Sequence, residues 1–300
     1  MRRKLSSILI ILMILAGLSL LLYPTVSNYI LSLSFRQTIT DYREGITKLD
    51  DSSYDTLLTE ARAYNERLAA KGSNMRDPTE EELPEYYSLL DPTGTGVMGY
   101  VVIPKINVSL PIYHGTDDTA LQGGIGHLPG TSLPVGGEGT HAIISGHRGL
   151  PSSRLFTDID QLVVGDTFSL RVLNETLFYE VDQIITILPS ELGKQRIEAG
   201  EDYCTLLTCT PYGINTHRLL VRGRRIEAPV ASATDDPSSV QQPDAVLAPD
   251  LEAEAGFAAV ERTFWLLIGA GGLMAVLLVL LVFLLFWTRE RYEPKRLKDQ

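Results

Sequence analysis

The sequence predicts a mainly β domain, a closed barrel or a sandwich, preceded by helices and flanked by two transmembrane helices. Between about residues 97 and 226, seven or eight short β-prone runs alternate with turns containing Gly, Pro or Asn. Over residues 34–71, apolar residues recur at three- and four-residue spacing, which indicates helix instead. Two uncharged apolar blocks, residues 5–23 and 264–287, predict the flanking membrane helices.

Both apolar blocks are long enough to cross a bilayer. They contain about nineteen and about twenty-four residues, and a helix rising 1.5 Å per residue needs ~20 residues for a ~30 Å hydrocarbon core. Basic residues precede the first block and follow the second, which predicts cytoplasmic termini and an extracellular middle. A cleaved signal peptide is the alternative for the first block. The bulky Tyr23-Pro24 that follows it lacks a small-residue cleavage pattern, so we favour an uncleaved anchor.

The charge balance restricts the partners of the extracellular part. The formal net charge is −11, and because both membrane flanks are basic, the part between them is more acidic still. An acidic surface disfavours nucleic acid and close docking on anionic lipid. It fits a partner that presents lysines.

Composition divides the chain into seven segments. Residues 228–263 are rich in Ala, Pro, Ser and Asp and predict a flexible stalk. The full division is a cytoplasmic flank and transmembrane anchor (1–23), a membrane-proximal helical region (24–75), a polar loop (76–93), the β domain (94–227), the stalk (228–263), a C-terminal transmembrane helix (264–288) and a basic cytoplasmic tail (289–300).

Within the β domain, pattern and turn residues assign seven strands. These are residues 97–103, 108–113, 140–145, 166–173, 176–187, 203–208 and 219–226. The Gly/Pro-rich residues 123–139 are assigned no strand, and Asn174-Glu175 is interpreted as a hairpin turn. Short helical turns are expected within residues 80–90, 155–162 and 190–202.

The two cysteines lie five residues apart in one predicted strand. That spacing covers roughly 16 Å and points the side chains to opposite faces, whereas a disulfide needs Cα atoms within about 7 Å. Cys204 is interpreted as a small buried hydrophobe. Cys209, which ends the strand, is an unpaired thiol in an extracellular domain and a candidate nucleophile.

A base and an oxyanion partner are also available for Cys209. His147 stands in Ser-Gly-His-Arg-Gly directly after the β-prone residues 141–145, so we expect it at the edge of a cleft; His141, at the other end of that run, is the second candidate. Arg218 opens the strand after Cys209 and its turn. Its guanidinium stays charged and can donate two N–H groups to an oxyanion.

Each of these residues also has a structural interpretation. A lone cysteine is most often buried packing, a lone histidine is more often structural, and an arginine at a strand start usually forms an ion pair. A zinc site made of His141, His147 and Cys209 matches no compact ligand spacing such as Cys-x-x-Cys. We therefore expect neither a metal nor a cofactor.

The residues around Cys209 resemble the signature of sortases, the membrane-anchored cysteine transpeptidases of Gram-positive bacteria. Thr-Leu-Leu-Thr-Cys at residues 205–209, followed by Arg218, is similar to the family's T-L-x-T-C…R motif, and the order His, Cys, Arg also matches. Further matches at residues 98–106, 110–115 and 208–213 extend the resemblance over about residues 94–226. They point to the class C, pilus-assembling subfamily.

The resemblance implies an eight-stranded β-barrel with N-terminal helices that cleaves an LPxTG-like sorting signal between Thr and Gly. Cys209 would form a thioacyl enzyme, His147 would protonate the leaving amine and later help deprotonate the incoming one, and Arg218 would hold the substrate carbonyl. The expected partners are pilin subunits bearing the signal, a lysine amine of a second pilin, and the lipid membrane, with no nucleic acid. Two alternatives stay open: hydrolysis of the thioacyl enzyme by water, and a non-catalytic membrane-tethered scaffold that binds pilin.

Class C membership also implies a lid over the site, commonly Asp-Pro-aromatic. The candidate here is Asp77-Pro78-Thr79, and Asp77 would pair with Arg218 when the lid is shut. Thr79 offers no ring to cover the thiol, so we expect a lid that opens more readily. Residues 91–93 repeat Asp-Pro-Thr but directly precede the first strand, which leaves little length to fold back.

Overall fold

The computed structural model describes residues 2–72 and 78–228, and the predicted β domain is a closed barrel. The helices are α1 (Arg2–Ile46), α2 (Asp51–Ala70), α3 (Leu83–Ser88) and α4 (Asp118–Gly123). The strands are β1 (Val97–Ile103), β2 (Val108–His114), β3 (Ile125–His127), β4 (Thr140–Ser145), β5 (Thr167–Val172), β6 (Glu175–Ile187), β7 (Asp202–Thr210) and β8 (His217–Ile226). Short 3₁₀ helices span Pro104–Ile106, Ile159–Gln161 and Pro189–Lys194.

The order of strands around the barrel is β1-β2-β3-β4-β7-β8-β6-β5. The pairs β2–β3 and β4–β7 are parallel, and the other neighbours are antiparallel. Parallel neighbours end at the same edge of a sheet. The β4–β7 pair therefore brings the ends of two strands that are distant in sequence to one rim of the barrel.

Strand β3 lies inside the Gly/Pro-rich residues 123–139, to which the pattern assigned no strand. It pairs Gly126 with Tyr113 on β2 and with Ser145 on β4. With three residues, it is too short to show an alternating pattern. Gly126 is needed because a Cβ at this position would clash with the backbone of Gly115.

The β5–β6 hairpin turns at Leu173–Asn174, one residue earlier than predicted. Leu173 has a positive φ of 52° and is buried. Its N–H donates to Tyr42 Oη of α1 at 2.8 Å. A contact from a helix distant in sequence thus fixes the position of the turn, so no local residue pattern predicts that position.

Residues 34–71 are helical as predicted, and they divide between the end of α1 and all of α2, a break to which the pattern assigned no position. Asp50 caps α2, because its carboxylate accepts the N–H of Ser53 at 2.8 Å. The end of α2 at Ala70 agrees with the end of the predicted helical range at residue 71. The predicted helical turns at residues 80–90, 155–162 and 190–202 are shorter than expected and correspond to α3 and two 3₁₀ helices.

Helix α1 joins the apolar N-terminal block to the barrel without a break. Within the described residues, Ile10–Ile46 is the candidate membrane span, with a mean hydropathy of 2.1. Asn28 Oδ1 accepts the N–H of Arg154 at 2.9 Å, and Leu31 packs against the barrel core. Later residues of α1 are buried on the barrel: Phe35, Ile39, Tyr42 and Ile46. The stalk, the second predicted span and the basic tail lie outside the described residues apart from residue 228.

Tyr42 fastens α1 to the barrel through a buried hydroxyl. Its side chain is 2% exposed. Oη donates to the carbonyl of Met98 on β1 at 2.8 Å and accepts the N–H of Leu173. One phenol therefore joins the helix, the first strand and the β5–β6 turn.

Tyr42→Phe is expected to lower the free energy of unfolding by about 1–3 kcal/mol, because a buried N–H and a buried carbonyl lose their partner. Urea unfolding of the detergent-solubilised chain measures this. Tyr54→Phe on α2 is the matched control, since it removes a hydroxyl from a partly exposed tyrosine. Equal stability of the two variants would contradict the assigned role of Tyr42.

Two histidines are buried in the barrel and held neutral. His127 Nε2 lies 2.8 Å from the Ser132 carbonyl, and His141 Nδ1 lies 2.7 Å from the Arg196 carbonyl. Burial lowers the pKa of His127 to about 3 and the pKa of His141 to about 4. Both rings are therefore part of the packed structure at neutral pH.

Acid is expected to destabilise the fold through these histidines. An unfolded histidine has a pKa of 6.5, so between pH 6.5 and about 4 the unfolded chain binds protons that folded His141 does not, and stability falls as pH falls. The slope per histidine reaches about 1.4 kcal/mol per pH unit. In urea unfolding at a series of pH values, His141→Gln should flatten this decrease and His217→Gln, at the start of β8, should not. An unchanged slope in His141→Gln would rule out this contribution.

Candidate active site

Cys209 and Arg218 are direct neighbours on the barrel. Cys209 is the last residue but one of β7, and its antiparallel partner in the β7–β8 register is Arg218. Directly opposite residues of such a pair have Cβ atoms about 4.5–5.5 Å apart. The thiol is partly exposed, as is the arginine.

Strand β4 brings His147 to the same rim. In the parallel β4–β7 register Ser145 lies opposite Leu207, and His147 and Cys209 each follow two residues later. Gly146 extends this pairing, since its N–H donates to the Leu207 carbonyl at 3.0 Å and its carbonyl accepts the Thr208 hydroxyl at 2.7 Å. His147, which is partly exposed, therefore leaves the sheet beside Cys209.

Close packing fixes the backbone of His147. A Cβ on Gly146 would lie 2.7 Å from the ring of Phe156, so a larger residue there would push the loop away from the core. The carbonyl of His147 accepts the N–H of Phe156 at 3.1 Å. Gly149, on the other side, donates its N–H to the Thr157 hydroxyl at 3.3 Å. The histidine thus stands on a loop held at both ends.

The β7–β8 turn holds the Arg218 guanidinium. Nη1 donates to the carbonyls of Asn215 at 3.2 Å and His217 at 3.1 Å. Among the described residues, no carboxylate forms an ion pair with Arg218. Its positive charge is therefore available beside the thiol, where an oxyanion would form during attack on a carbonyl.

The other candidates of the sequence lie elsewhere. His141 pairs with Tyr203 at the start of β7, about 20 Å along the strand from Cys209, so the conceivable zinc ligands do not converge. The described part of the chain contains no group of three or more His, Cys, Asp or Glu placed to hold a metal. Cys204 is fully buried, and burial raises the pKa of its thiol well above the usual range, which agrees with its predicted role in packing.

The predicted lid belongs only partly to the described residues, which include Pro78 and Thr79 but not Asp77. The N–H of Thr79 donates to the Glu82 carboxylate at 2.9 Å, in the turn that precedes α3. Glu82 also forms an ion pair with Lys71 just beyond α2 at 2.8 Å. The chain that follows Asp77 is therefore tied to α2.

The second Asp-Pro-Thr, at residues 91–93, has a local structural role. Asp91 Oδ1 accepts the N–H groups of Thr95 and Gly96, each at 3.1 Å. These bonds shape the turn that leads into β1. They give Asp91 a function other than that of a lid residue.

Sequence reasoning did not single out Arg148, which lies next to His147 and contacts the residue after Cys209. Its side chain is 9% exposed, forms an ion pair with Asp160 and donates to the Thr210 hydroxyl at 3.3 Å. Adjacency to His147 was the only signal available, because its partners lie far away in sequence.

Comparison with known proteins agrees with the geometry. A model of the Sortase domain matches residues 101–226. Sortase D of Bacillus subtilis (strain 168) is 27% identical over 174 residues, which cover 56% of this chain and 84% of that protein.

Solved structures are more similar. Sortase C1 from Streptococcus agalactiae is 52% identical with a TM-score of 0.61, covering 64% of this chain and 99% of that one. Sortase C from Streptococcus pneumoniae is 44% identical with a TM-score of 0.57, covering 64% and 97%. With its eight-stranded barrel and its Cys209–Arg218 pair, the chain belongs to the sortase family of cysteine transpeptidases and, within it, to class C.

Proposed function

We propose that this chain polymerises pilins, with Cys209 as nucleophile, His147 as acid and base, and Arg218 as oxyanion partner. The observation that carries the proposal is the direct pairing of Cys209 with Arg218, next to the strand that delivers His147. Thiolate, imidazole and guanidinium together are what acyl transfer through a thioester requires.

In the first half-reaction, the Cys209 thiolate attacks the carbonyl carbon of the Thr–Gly bond in an LPxTG-like sorting signal. The carbonyl electron pair moves onto oxygen, and N–H groups of Arg218 stabilise the resulting oxyanion. When this intermediate collapses, the C–N bond breaks and His147 gives a proton to the leaving glycine amine. The acyl group remains on Cys209 as a thioester.

In the second half-reaction, a lysine amine of another pilin attacks the thioester carbonyl. His147 takes up the proton of that amine, the C–S bond breaks, and Cys209 leaves as the thiolate. The product is an isopeptide bond between two subunits. The acidic character of the chain favours an acceptor that presents lysines. Among its relatives, the Streptococcus pneumoniae sortase C has pilin substrate specificity and a Streptococcus agalactiae sortase C1 belongs to a pilus island.

The proposed location follows the seven-segment division of the sequence. Residues 5–23 and 264–287 would span the membrane, both termini would be cytoplasmic, and the barrel would be extracellular. The apolar first part of α1 supports the first of these spans. Residues 76–93 would form the lid loop, with Asp77 of Asp77-Pro78-Thr79 closing on Arg218.

Replacing Arg218 tests the oxyanion role. Mass spectrometry of the chain incubated with an LPxTG-type peptide should detect a thioacyl adduct that Cys209→Ala abolishes. Arg218→Gln should form the adduct about 10²–10³-fold more slowly, because a charged donor to the oxyanion is lost. Arg224→Gln is the matched control, since Arg224 lies on the same strand but is 58% exposed and pairs with Glu201. Loss of rate in both variants would argue against a specific role.

The same assay separates the alternatives. A wild-type chain that never forms the adduct would leave only the non-catalytic scaffold. If the thioacyl adduct disappears at the same rate with and without a pilin lysine donor, water resolves it and the reaction is hydrolysis. Resolution that depends on the donor and yields a joined product is the expected result.

The lid assignment predicts that Asp77→Ala speeds the reaction of Cys209 with a thiol reagent. The substitution removes the proposed ion pair with Arg218 and so destabilises the closed lid. Asp91→Asn is the control, since an amide oxygen can still accept the bonds from Thr95 and Gly96. The rate of labelling is followed by mass spectrometry. An Asp77→Ala rate equal to that of wild type would show that Asp77 does not hold a lid.

A further inference from the structure

We propose that Arg148 is a positioning residue that fixes the spacing between His147 and Cys209. The inference rests on the proposed function of this site. Arg148 directly follows His147 in the sequence, and its Nη1 donates at 3.3 Å to the hydroxyl of Thr210, which directly follows Cys209. The Arg148 side chain therefore links the residue after His147 to the residue after Cys209.

A third segment holds the other end of the guanidinium. Nη2 donates to the carboxylate of Asp160, which lies on the 3₁₀ helix Ile159–Gln161. That helix is fixed in the core, because Ile159 and the nearby Phe156 are fully buried. The N–H of Phe156 in turn donates to the His147 carbonyl. The Arg148 guanidinium is thus bound at one end by the buried 3₁₀ helix and at the other by the end of β7.

Burial distinguishes this contact from an ordinary surface ion pair. The Arg148 side chain is 9% exposed, whereas four of the other paired arginines are more than half exposed: Arg62, Arg67, Arg154 and Arg224. Its Nε is buried and has no hydrogen-bond partner among the described residues. Burying a guanidinium with an incomplete set of acceptors costs free energy. An apolar side chain would fill this space at lower cost, so space filling alone does not account for the arginine.

The spacing it controls matters for the rate. The thiolate and the imidazole must both lie within about 3 Å of atoms in the same substrate, and a misplacement of 1 Å can cost about 10²-fold in rate. Beyond Gly146, which still bonds to β7, Arg148 provides a link between the His147 loop and that strand. Arg148 contacts Thr210 and Asp160, so the link acts on the spacing of Cys209 and His147 and is not itself a proposed substrate contact. Its loss should therefore lower kcat and leave KM nearly unchanged.

The test compares Arg148→Met with Arg154→Met in the full chain, with an LPxTG-type peptide as acyl donor. Arg154 is the matched control because it lies in the same segment and pairs with Asp158 at 2.7 Å, but is 69% exposed. We expect Arg148→Met to lower kcat by at least about tenfold with KM within about twofold, and Arg154→Met to match wild type. Arg148→Lys keeps the charge but lacks the two donor nitrogens of the guanidinium, and its kcat should lie between those of Arg148→Met and wild type.

Chemical rescue separates positioning from folding. In Arg148→Ala, guanidinium chloride below denaturing concentrations should restore part of kcat by occupying the vacated site, whereas equal sodium chloride should not. Near-ultraviolet circular dichroism reports the folded fraction of each variant. Thr210→Val removes only the hydroxyl that accepts from Arg148 and should lower kcat a few-fold, so the inference stays testable if the Arg148 variants do not fold.

The inference is overturned if kcat merely follows the folded fraction, or if neither Arg148→Lys nor Thr210→Val changes kcat. A wild-type chain that forms no thioacyl adduct would instead refute the proposed function, and the inference with it. Normal adduct formation in wild type together with unchanged kinetics in folded Arg148→Met would refute the positioning role alone.

Discussion

The parallel pairing of β4 with β7 is the constraint on which the active site depends. Parallel strands cannot be joined by a tight turn, so a long stretch of chain must leave β4 and return to β7. Part of that stretch, around Phe156 and Ile159, packs behind the His147 loop and supports it. The crossover that the topology demands is therefore also the structure that keeps the imidazole at the rim.

How far the site could be predicted depends on how local each contact is. Cys209 and Arg218 lie on consecutive antiparallel strands joined by a short turn, so their proximity was readable from the sequence. Predicting the position of His147 requires the β4–β7 register, which no local pattern encodes. The choice of His147 over His141 rested on the glycines beside it. The contacts of Arg148 are equally non-local. The proximity of Cys209 and Arg218 was predictable from the residues, whereas the placement of His147 and of Arg148 beside them required the resemblance or the fold.

The fold shows the same division. The strands with clear alternation were assigned to within one or two residues, whereas β3 has too few residues to alternate and the β5–β6 turn is placed by Tyr42 of a distant helix. The break between α1 and α2 is a different case, because the Asp50 cap is a local signal that could have been recognised. The protonation state of the histidines could not be predicted from the sequence. His127 and His141 are neutral because the fold buries them and lowers their pKa.

The uninterrupted helix α1 has a consequence for how the enzyme meets its reactants. The contact between Asn28 and Arg154 lies about 7 Å of helix rise beyond residue 23, close to the loop that carries His147. With the apolar part of α1 in a bilayer, one continuous helix would connect the barrel to its anchor, and Pro24, inside that helix, removes a backbone hydrogen bond just above the apolar block. The helix would then limit the height of the rim above the lipid, and Pro24 is the position at which the tilt of the rim can change. Encounter with a reactant held in the same membrane would become a search in two dimensions at a limited range of heights.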